Sequence, residues 1–366
     1  MTRELDQNYM RLALNLARKA EGQTSPNPMV GAVVVKSGKV ISGGYHKKAG
    51  LPHAEIVALR KAGSKARGAD LYVNLEPCCH QGRTPPCTES IIAAGIKKVV
   101  MGIRDPNRLV SGKGIRSLRK NGIEVVTGVL KRDCERLNES FLKYIHTGRP
   151  WVILKSALSL DGKIATRAGD SQWITGSKAR EYVHQLRNKV DAVLIGAGTV
   201  RSDDPRLTVR LKQGGIQNPV RVIVVGKHGV PVSARVFSNA RKERVIYATF
   251  ADLSASRKKT LQKMGVEVLL MKRKRGQVHL PQLMDKLGAM GITSVMVEGG
   301  SEVSGNVFKE KLIDKVIYFI APKIIGGKGA SGPVGGQGIE QLKDALLIKN
   351  MTFSRLGDDL LVEGYI

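Results

Sequence analysis

Two short segments restrict the fold more than anything else in the chain. His53-Ala54-Glu55 opens a run with helical spacing, and Cys78, Cys79 and Cys87 follow the strand-like LYVNLE at 71–76. Three of the four cysteines fall in this second segment. His53, Cys78 and Cys87 form the ligand set of a metal ion that keeps one coordination position open. To bring them together, the start of the helix must pack against the loop that leaves the next strand. Glu55 then lies on the first helical turn, facing the open position, where it can take up and return protons. Two other arrangements stay open. Cys79 as a fourth ligand would close the site and make it structural, and His80 is a further possible ligand.

The order H-x-E, then P-C, then a later Cys is the pattern of zinc deaminases acting on nucleobases. Cys78 directly follows Pro77, as that pattern requires. The usual spacing between the cysteines is two residues, whereas eight separate Cys78 from Cys87 here, so the generic pattern fits only in part.

At 366 residues the chain is long enough for two domains, and 42% hydrophobic with 25% charged residues is globular composition. Clustered cysteines speak for a reducing compartment rather than a disulfide framework. Cys134, Leu137, Phe141 and Ile145 recur at helical spacing, so Cys134 reads as a core residue. The N-terminal MTRELDQNYMRLALNLARKA lacks the apolar core of a signal peptide, and no apolar run reaches the roughly 18 residues of a membrane span. A cytoplasmic chain is expected, with no membrane partner.

The formal charge of +29 asks for a polyanion or for anionic ligands. Aromatic residues make up only 4%, which leaves few platforms for stacking unpaired bases. The charge is also spread along the chain, with only short runs such as KRKR at 272–275. Phosphorylated small molecules would profit from the same field.

Periodicity predicts helices at 8–21, 53–62, 88–95, 113–121 and 131–146, and a hairpin turning at Ser37-Gly38. Strands are expected at 71–76, 99–103 and 123–127. The Gly148–Pro150 segment reads as a linker, and a second set of strands begins at Trp151. These lie at 192–196, 220–226, 244–249, 266–271, 294–300 and 315–322, with helices between several of them. Two α/β domains are expected, 1–147 and 148–366, the first a three-layer α/β/α arrangement.

Longer stretches carry a resemblance. SPNPMVGAVVV, GYHKKAGLPHAE, YVNLEPCCHQGRTPPC and DPNRLVSGKG resemble the deaminase half of the bifunctional riboflavin-biosynthesis deaminase–reductases. KSALSLDGKIA, SQWITGSKAR, GAGTVRSDDPRLTVR and VEGGSEVSG resemble the reductase half, which is similar to dihydrofolate reductase. The long cysteine loop is that family's own form. The resemblance implies a cytidine-deaminase-like first domain holding one zinc ion, and a dihydrofolate-reductase-like second domain using NADPH. It implies hydrolytic deamination of 2,5-diamino-6-(5-phosphoribosylamino)pyrimidin-4(3H)-one, then reduction of the ribosyl side chain to ribityl. Self-association is also implied.

Residue by residue, the resemblance assigns Asn27, His46, Arg83, Thr84, Asp105 and Asn107 to the pyrimidine substrate. It gives Ala157, Trp173, Thr199, Asp203, Gly299, Gly300 and Ser301 to the dinucleotide. Ser171, Arg187, Leu207, Arg210 and Glu298 fall to the phosphorylated substrate of the second reaction, and Lys155 is the candidate proton donor. Read without the resemblance, Asn27 and Asp105 suit turns beside prolines, and Arg187 and Arg210 suit a solvated face. The chain departs from the family pattern at Arg108, at Cys79 and at Gly226-Lys227. A competing reading, an RNA-acting zinc deaminase with a fused binding domain, accounts for the charge but gives SQWITG and DDPRLTVR no work.

Overall fold

The computed structural model describes residues 2–80, 85–108, 110–212, 216–250, 252–274 and 276–366, with the backbone alone for Thr2 and Arg3. The chain divides into two compact units, Met1–Gly148 and Arg149–Ile366.

The first unit contains α1 (Thr2–Arg18), β1 (Gly31–Lys36), β2 (Lys39–Tyr45), α2 (Ala54–Ala62), β3 (Asp70–Leu75), α3 (Cys87–Ala93), β4 (Lys98–Ile103), α4 (Lys113–Lys120), β5 (Glu124–Thr127), α5 (Lys131–Leu137) and α6 (Glu139–Thr147). Its sheet runs β2-β1-β3-β4-β5. The first three strands are antiparallel neighbours and the last three parallel. The hairpin turns at Ser37 (φ 50°) and Gly38 (φ 73°), as the sequence predicts. Apolar strand residues such as Val33, Val34, Leu71, Val73 and Val100 form the centre of the core. Helix α2 lies almost on the sheet because Gly44 has no side chain. A Cβ there would stand 2.7 Å from the Ala54 carbonyl and from the Ala58 nitrogen. That close approach fixes the start of α2, where His53 and Glu55 sit.

Two sequence expectations change. Helix α1 begins well before residue 8, and Asp6 on its first turns accepts a hydrogen bond from the Tyr72 hydroxyl at 2.7 Å. The single helix expected over 131–146 is two helices, broken at Asn138. The Asn138 side chain accepts from the Met29 amide at 2.8 Å and donates to the Met29 carbonyl at 3.0 Å. A buried amide tied to a segment 109 residues away outweighs helical continuity here. Cys134 is fully buried in the core, as expected.

The second unit contains β6 (Trp151–Ser159), α7 (Ser177–Lys189), β7 (Ala192–Gly196), α8 (Ala197–Asp203), β8 (Val220–Val224), β9 (Val245–Phe250), α9 (Ala255–Lys263), β10 (Glu267–Met271), β11 (Arg273–Lys274), β12 (Gln277–Val278), α10 (Leu280–Ala289), β13 (Ser294–Glu298), α11 (Ser301–Lys309), β14 (Lys315–Ala321), β15 (Lys349–Leu356) and β16 (Asp359–Tyr365). Its nine-stranded sheet has the order β10-β9-β8-β7-β13-β6-β14-β16-β15. It is parallel as far as β14, and the closing β16 and β15 are antiparallel. The C-terminal hairpin is absent from the sequence reading. Two apolar clusters cover the two faces of the sheet, one centred on Val193, Ile195 and Ile223, the other on Leu194, Val222 and Val295. Strand β13 lies between β6 and β7, so successive strands part on either side of it. In parallel sheets such a switch point opens a crevice at the carboxyl ends of the strands.

Candidate active sites

In the first unit, β3 ends at Leu75 and delivers Glu76, Pro77 and Cys78 to the foot of α2. Helix α3 starts at Cys87, and Thr88 N donates to the Cys78 carbonyl at 3.1 Å, which closes the loop. His53 immediately precedes α2 in extended conformation (φ −68°, ψ 160°), turning its ring back toward the cysteines. Its Nδ1 lies 3.1 Å from the Cys87 sulfur and 3.5 Å from that of Cys78. All three ligand atoms fall within 4.8 Å of one another. Among the described residues no other His, Cys, Asp or Glu joins this group or forms a second one. Cys79 and His80 therefore stand outside it.

The electrostatics of the set fit a divalent cation. Cys78 is drawn down to about 4, chiefly by a hydrogen bond from Cys87 and then by His53. Cys87 is pushed up by the same bond and by burial. Alone, the pair supports one thiolate and one thiol; a bound cation lets both ionise. One imidazole with two thiolates is a zinc donor set that leaves a fourth position free. Glu55 is 3% exposed and hydrogen-bonded to Cys87. Burial lifts its carboxyl to about 7, against a smaller downward pull from His53.

The neighbouring polar residues are fixed from outside. Asn27 Nδ2 lies 3.2 Å from His46 Nε2, and His46 Nδ1 lies 3.2 Å from the Pro52 carbonyl. Burial, joined by the nearby His53, lowers His46 and favours its neutral form. The Met29 backbone, two residues past Asn27, is held by Asn74 and Asn138. Asp105 is buried and pushed up to about 6, by burial first and by Glu76. Its carboxylate accepts from Asn107 N at 2.8 Å, so Asp105 and Asn107 form one turn. Glu76, unnoticed in the sequence, organises that turn. It is 3% exposed and accepts from the amides of Asp105 (3.3 Å), Gly112 (3.0 Å) and Ile115 (3.2 Å). Arg83 and Thr84 lie outside the described residues.

In the second unit a cleft of about 670 Å³ opens at the switch point. Lys155, Ala157, Ser171, Trp173, Arg187, Thr199, Asp203, Leu207, Arg210, Glu298, Gly299 and Gly300 all line it. Ser301 begins α11 just beyond and is not part of the lining. Glu298, the last residue of β13, pairs in register with Lys155 on β6. Its carboxylate receives the Arg187 fork at 2.8 and 2.7 Å and Lys155 Nζ at 3.3 Å. Burial pushes Glu298 up, but Arg187 and Lys155 together outweigh it and hold the group near 2. Arg187 is thus tied into the cleft rather than lying on a solvated face, whereas Arg210 lines the cleft and is exposed.

The cleft also fits a dinucleotide. Gly299 (φ 108°) and Gly300 (φ 80°) carry the chain from β13 into α11 in a conformation that favours glycine. A Cβ on Gly300 would stand 3.0 Å from Thr199 Oγ1, so bare backbone forms the floor between α8 and α11. Such a floor lets pyrophosphate approach main-chain amides. At the rim, Trp173 is 60% exposed with the Arg180 guanidinium 4.6 Å over its ring. Ser171 donates to Asp203 at 3.3 Å. His184, which belongs to no motif in the sequence, also lines the cleft, against Arg210.

Comparison with known proteins finds a separate match in each unit. Residues 150–362 match the family model of the RibD C-terminal domain, and residues 3–103 that of the cytidine and deoxycytidylate deaminase zinc-binding region. The riboflavin biosynthesis protein RibD of Aquifex aeolicus is 46% identical over 362 residues, 99% of each chain. That of Escherichia coli is 39% identical, covering 97% of this chain and 98% of the relative. The structure of Acinetobacter baumannii RibD superposes with a TM-score of 0.89 at 38% identity, covering 99% of each chain. A diaminohydroxyphosphoribosylaminopyrimidine deaminase/5-amino-6-(5-phosphoribosylamino)uracil reductase from Thermotoga maritima gives a TM-score of 0.88 at 41% identity, over 100% of this chain and 99% of that one. Identity over the full length, a deaminase zinc region and a RibD C-terminal domain leave no place for the RNA-acting alternative, and the chain belongs to the RibD family of riboflavin-biosynthesis deaminase–reductases.

Proposed function

We propose that this chain carries out two consecutive steps of riboflavin biosynthesis. The first unit removes the 2-amino group of 2,5-diamino-6-(5-phosphoribosylamino)pyrimidin-4(3H)-one as ammonia. The second reduces the ribosyl side chain of the product to ribityl. The observation that carries the reading is the convergence of His53, Cys78 and Cys87 beside the buried carboxyl of Glu55.

His53, Cys78 and Cys87 would hold a zinc ion, which would supply Lewis acidity for the hydrolysis. Glu55 takes a proton from the attacking water and returns protons to the ring nitrogen and the departing amine. Burial suits it to this work, because a carboxyl lifted toward neutrality both accepts and releases a proton at little cost. Asn27, His46, Asp105 and Asn107 read the edges of the pyrimidine. The assignment of Arg83 and Thr84 to the same substrate rests on the sequence motif.

In the second unit Ala157, Trp173, Thr199, Asp203 and the Gly299-Gly300-Ser301 turn would hold NADPH, which would supply the reducing equivalents. Arg187, Arg210, Ser171, Leu207 and Glu298 hold the phosphorylated substrate. Lys155, kept in place by Glu298, provides the proton as the sugar carbon is reduced. Among the described residues no helix is long and apolar enough to cross a membrane. The reading places the enzyme in the cytoplasm as a homo-oligomer acting on small phosphorylated pyrimidines, without nucleic acid. Metal analysis of the purified chain, with a spectrophotometric assay on the deaminated substrate, tests it. About one zinc per chain and oxidation of NADPH but not NADH are expected; a metal-free chain with full deaminase activity overturns the first half.

A further inference from the structure

Arg210 is one of the two guanidiniums given above to the substrate's phosphate, and the structure shows what aims it. It lies on the irregular segment after α8, three residues beyond Leu207, whose backbone takes φ 58°. Two side chains of α7, one helical turn apart, hold that segment. Arg187 donates from Nη1 to the Thr208 carbonyl at 3.3 Å. The His184 ring stands against the next residues. Its Nδ1 lies 3.2 Å from the Arg210 backbone nitrogen, and its Nε2 lies 3.4 Å from Arg210 Nη2. The ring is also hydrogen-bonded to the Thr208 backbone.

A neutral imidazole has one lone pair for accepting a hydrogen bond, and its position depends on the tautomer. With the proton on Nε2, Nδ1 accepts the Arg210 amide. With the proton on Nδ1, Nε2 accepts from the Arg210 guanidinium. Either tautomer therefore grips Arg210, whereas the imidazolium accepts from neither group and adds a positive charge. The charged groups facing the ring are Arg187 on its own helix, Arg210 on the packed segment and Glu298 at the end of β13. Arg206 and Arg235 bear on Arg210 in turn. Glu298, already engaged by Arg187 and Lys155, only partly offsets a cation on His184, and burial with the two arginines outweighs it. Burial, then Arg187 and Arg210, press His184 down to about 4, which keeps it neutral under ordinary conditions.

We propose that His184 is the positioning residue for phosphate recognition in this cleft: its neutral ring fixes Arg210 so that the guanidinium faces a phosphate monoester. Selectivity for the phosphorylated substrate over its dephosphorylated form then depends on a residue that contacts no phosphate itself. This rests on the assignment of Arg210 to the substrate's phosphate.

The test uses the full-length zinc-loaded chain and steady-state reduction of the deaminated substrate with and without its phosphate. Arg210→Ala and His184→Leu should each raise KM for the phosphorylated form about tenfold, the loss of one hydrogen bond to a charged group. His184→Leu should leave KM for NADPH and KM for the dephosphorylated form unchanged. His184→Asn, whose amide oxygen can accept from the Arg210 amide, should restore most of the difference. If Arg210→Ala removes the preference for phosphate and His184→Leu keeps it, the inference is wrong and the assignment of Arg210 stands. If Arg210→Ala itself keeps the preference, the assignment fails and the inference with it. An equal effect of His184→Leu on both substrates, or no rescue by Asn, also overturns the positioning role. His184→Phe, a ring without an acceptor, replaces the Leu variant if that one does not fold.

Discussion

Glu55 in the first unit is 3% exposed, and the Glu298 side chain in the second is 10% exposed. Burial disfavours the charged form of both. Around Glu55 the protein's own opposing pull, from His53, is small, and before any metal binds the carboxyl rises to about 7. Around Glu298 a two-toothed arginine and a lysine reverse the balance, and the carboxyl falls to about 2. One carboxyl is left near neutrality, while the other is held as an anion that binds two cations. The partner of a buried acid, rather than its burial, separates a chemical role from a holding role.

Substitutions can break that contrast. Glu55→Gln should lower deamination by about 10²–10⁴-fold, the usual share of a general acid–base group, with zinc content and NADPH oxidation unchanged. Paired assays of the two reactions on one preparation check this. Glu298→Ala should instead cost about 3–5 kcal/mol of stability in the second unit, because two buried cations lose their anion. Both tryptophans of the chain, Trp151 and Trp173, lie in that unit, so their fluorescence in urea follows its unfolding alone. A Glu298 variant that keeps its stability, or a Glu55→Gln variant that keeps its deaminase, removes the distinction.

Acid gives a finer measure. The Glu298 carboxyl is held below its ordinary 4.5, so it favours the folded state at every pH above that value. The contribution, on the order of 3 kcal/mol, is lost as pH falls toward 2. Wild type and Glu298→Gln should therefore converge in unfolding free energy across that range, and curves that stay parallel would show that the ion pairs add nothing. The smallest effect is expected at Glu76, a third buried carboxylate, held by neutral amides alone. Glu76→Gln should cost about 1–3 kcal/mol in the first unit. It should also raise KM for deamination more than it lowers kcat, because it loosens the Asp105–Asn107 turn and leaves Glu55 alone.

How much of this the sequence carries depends on distance along the chain. His53, Glu55, Cys78 and Cys87 are legible from residue type and spacing, since one helix, one strand and one loop suffice to gather them. Arg187 and Glu298 are 111 residues apart, and only the resemblance links them to one site. His184 carried no signal, because a histidine on a polar helix looks the same whether it grips an arginine or meets water. Glu76 was hidden by its neighbours, as a carboxylate before Pro-Cys draws the eye to the cysteine. The break at Asn138 is not legible in the sequence because its cause, Met29, lies at the other end of the unit. The C-terminal hairpin leaves little trace in the sequence because β15 is exposed along almost its whole length, so no apolar alternation marks it.

The double hydrogen bond between Asn138 and Met29 has a practical consequence for anyone wishing to cut the protein apart. The stretch that resembles cytidine deaminases ends at residue 103 and holds every zinc donor. A truncation there would strip β5 from the edge of β4, remove Cys134 from the core and leave the loop bearing Asn27 with one of its two amide anchors. An autonomous deaminase fragment should instead run through α6 to Gly148, where the last stitch has been made.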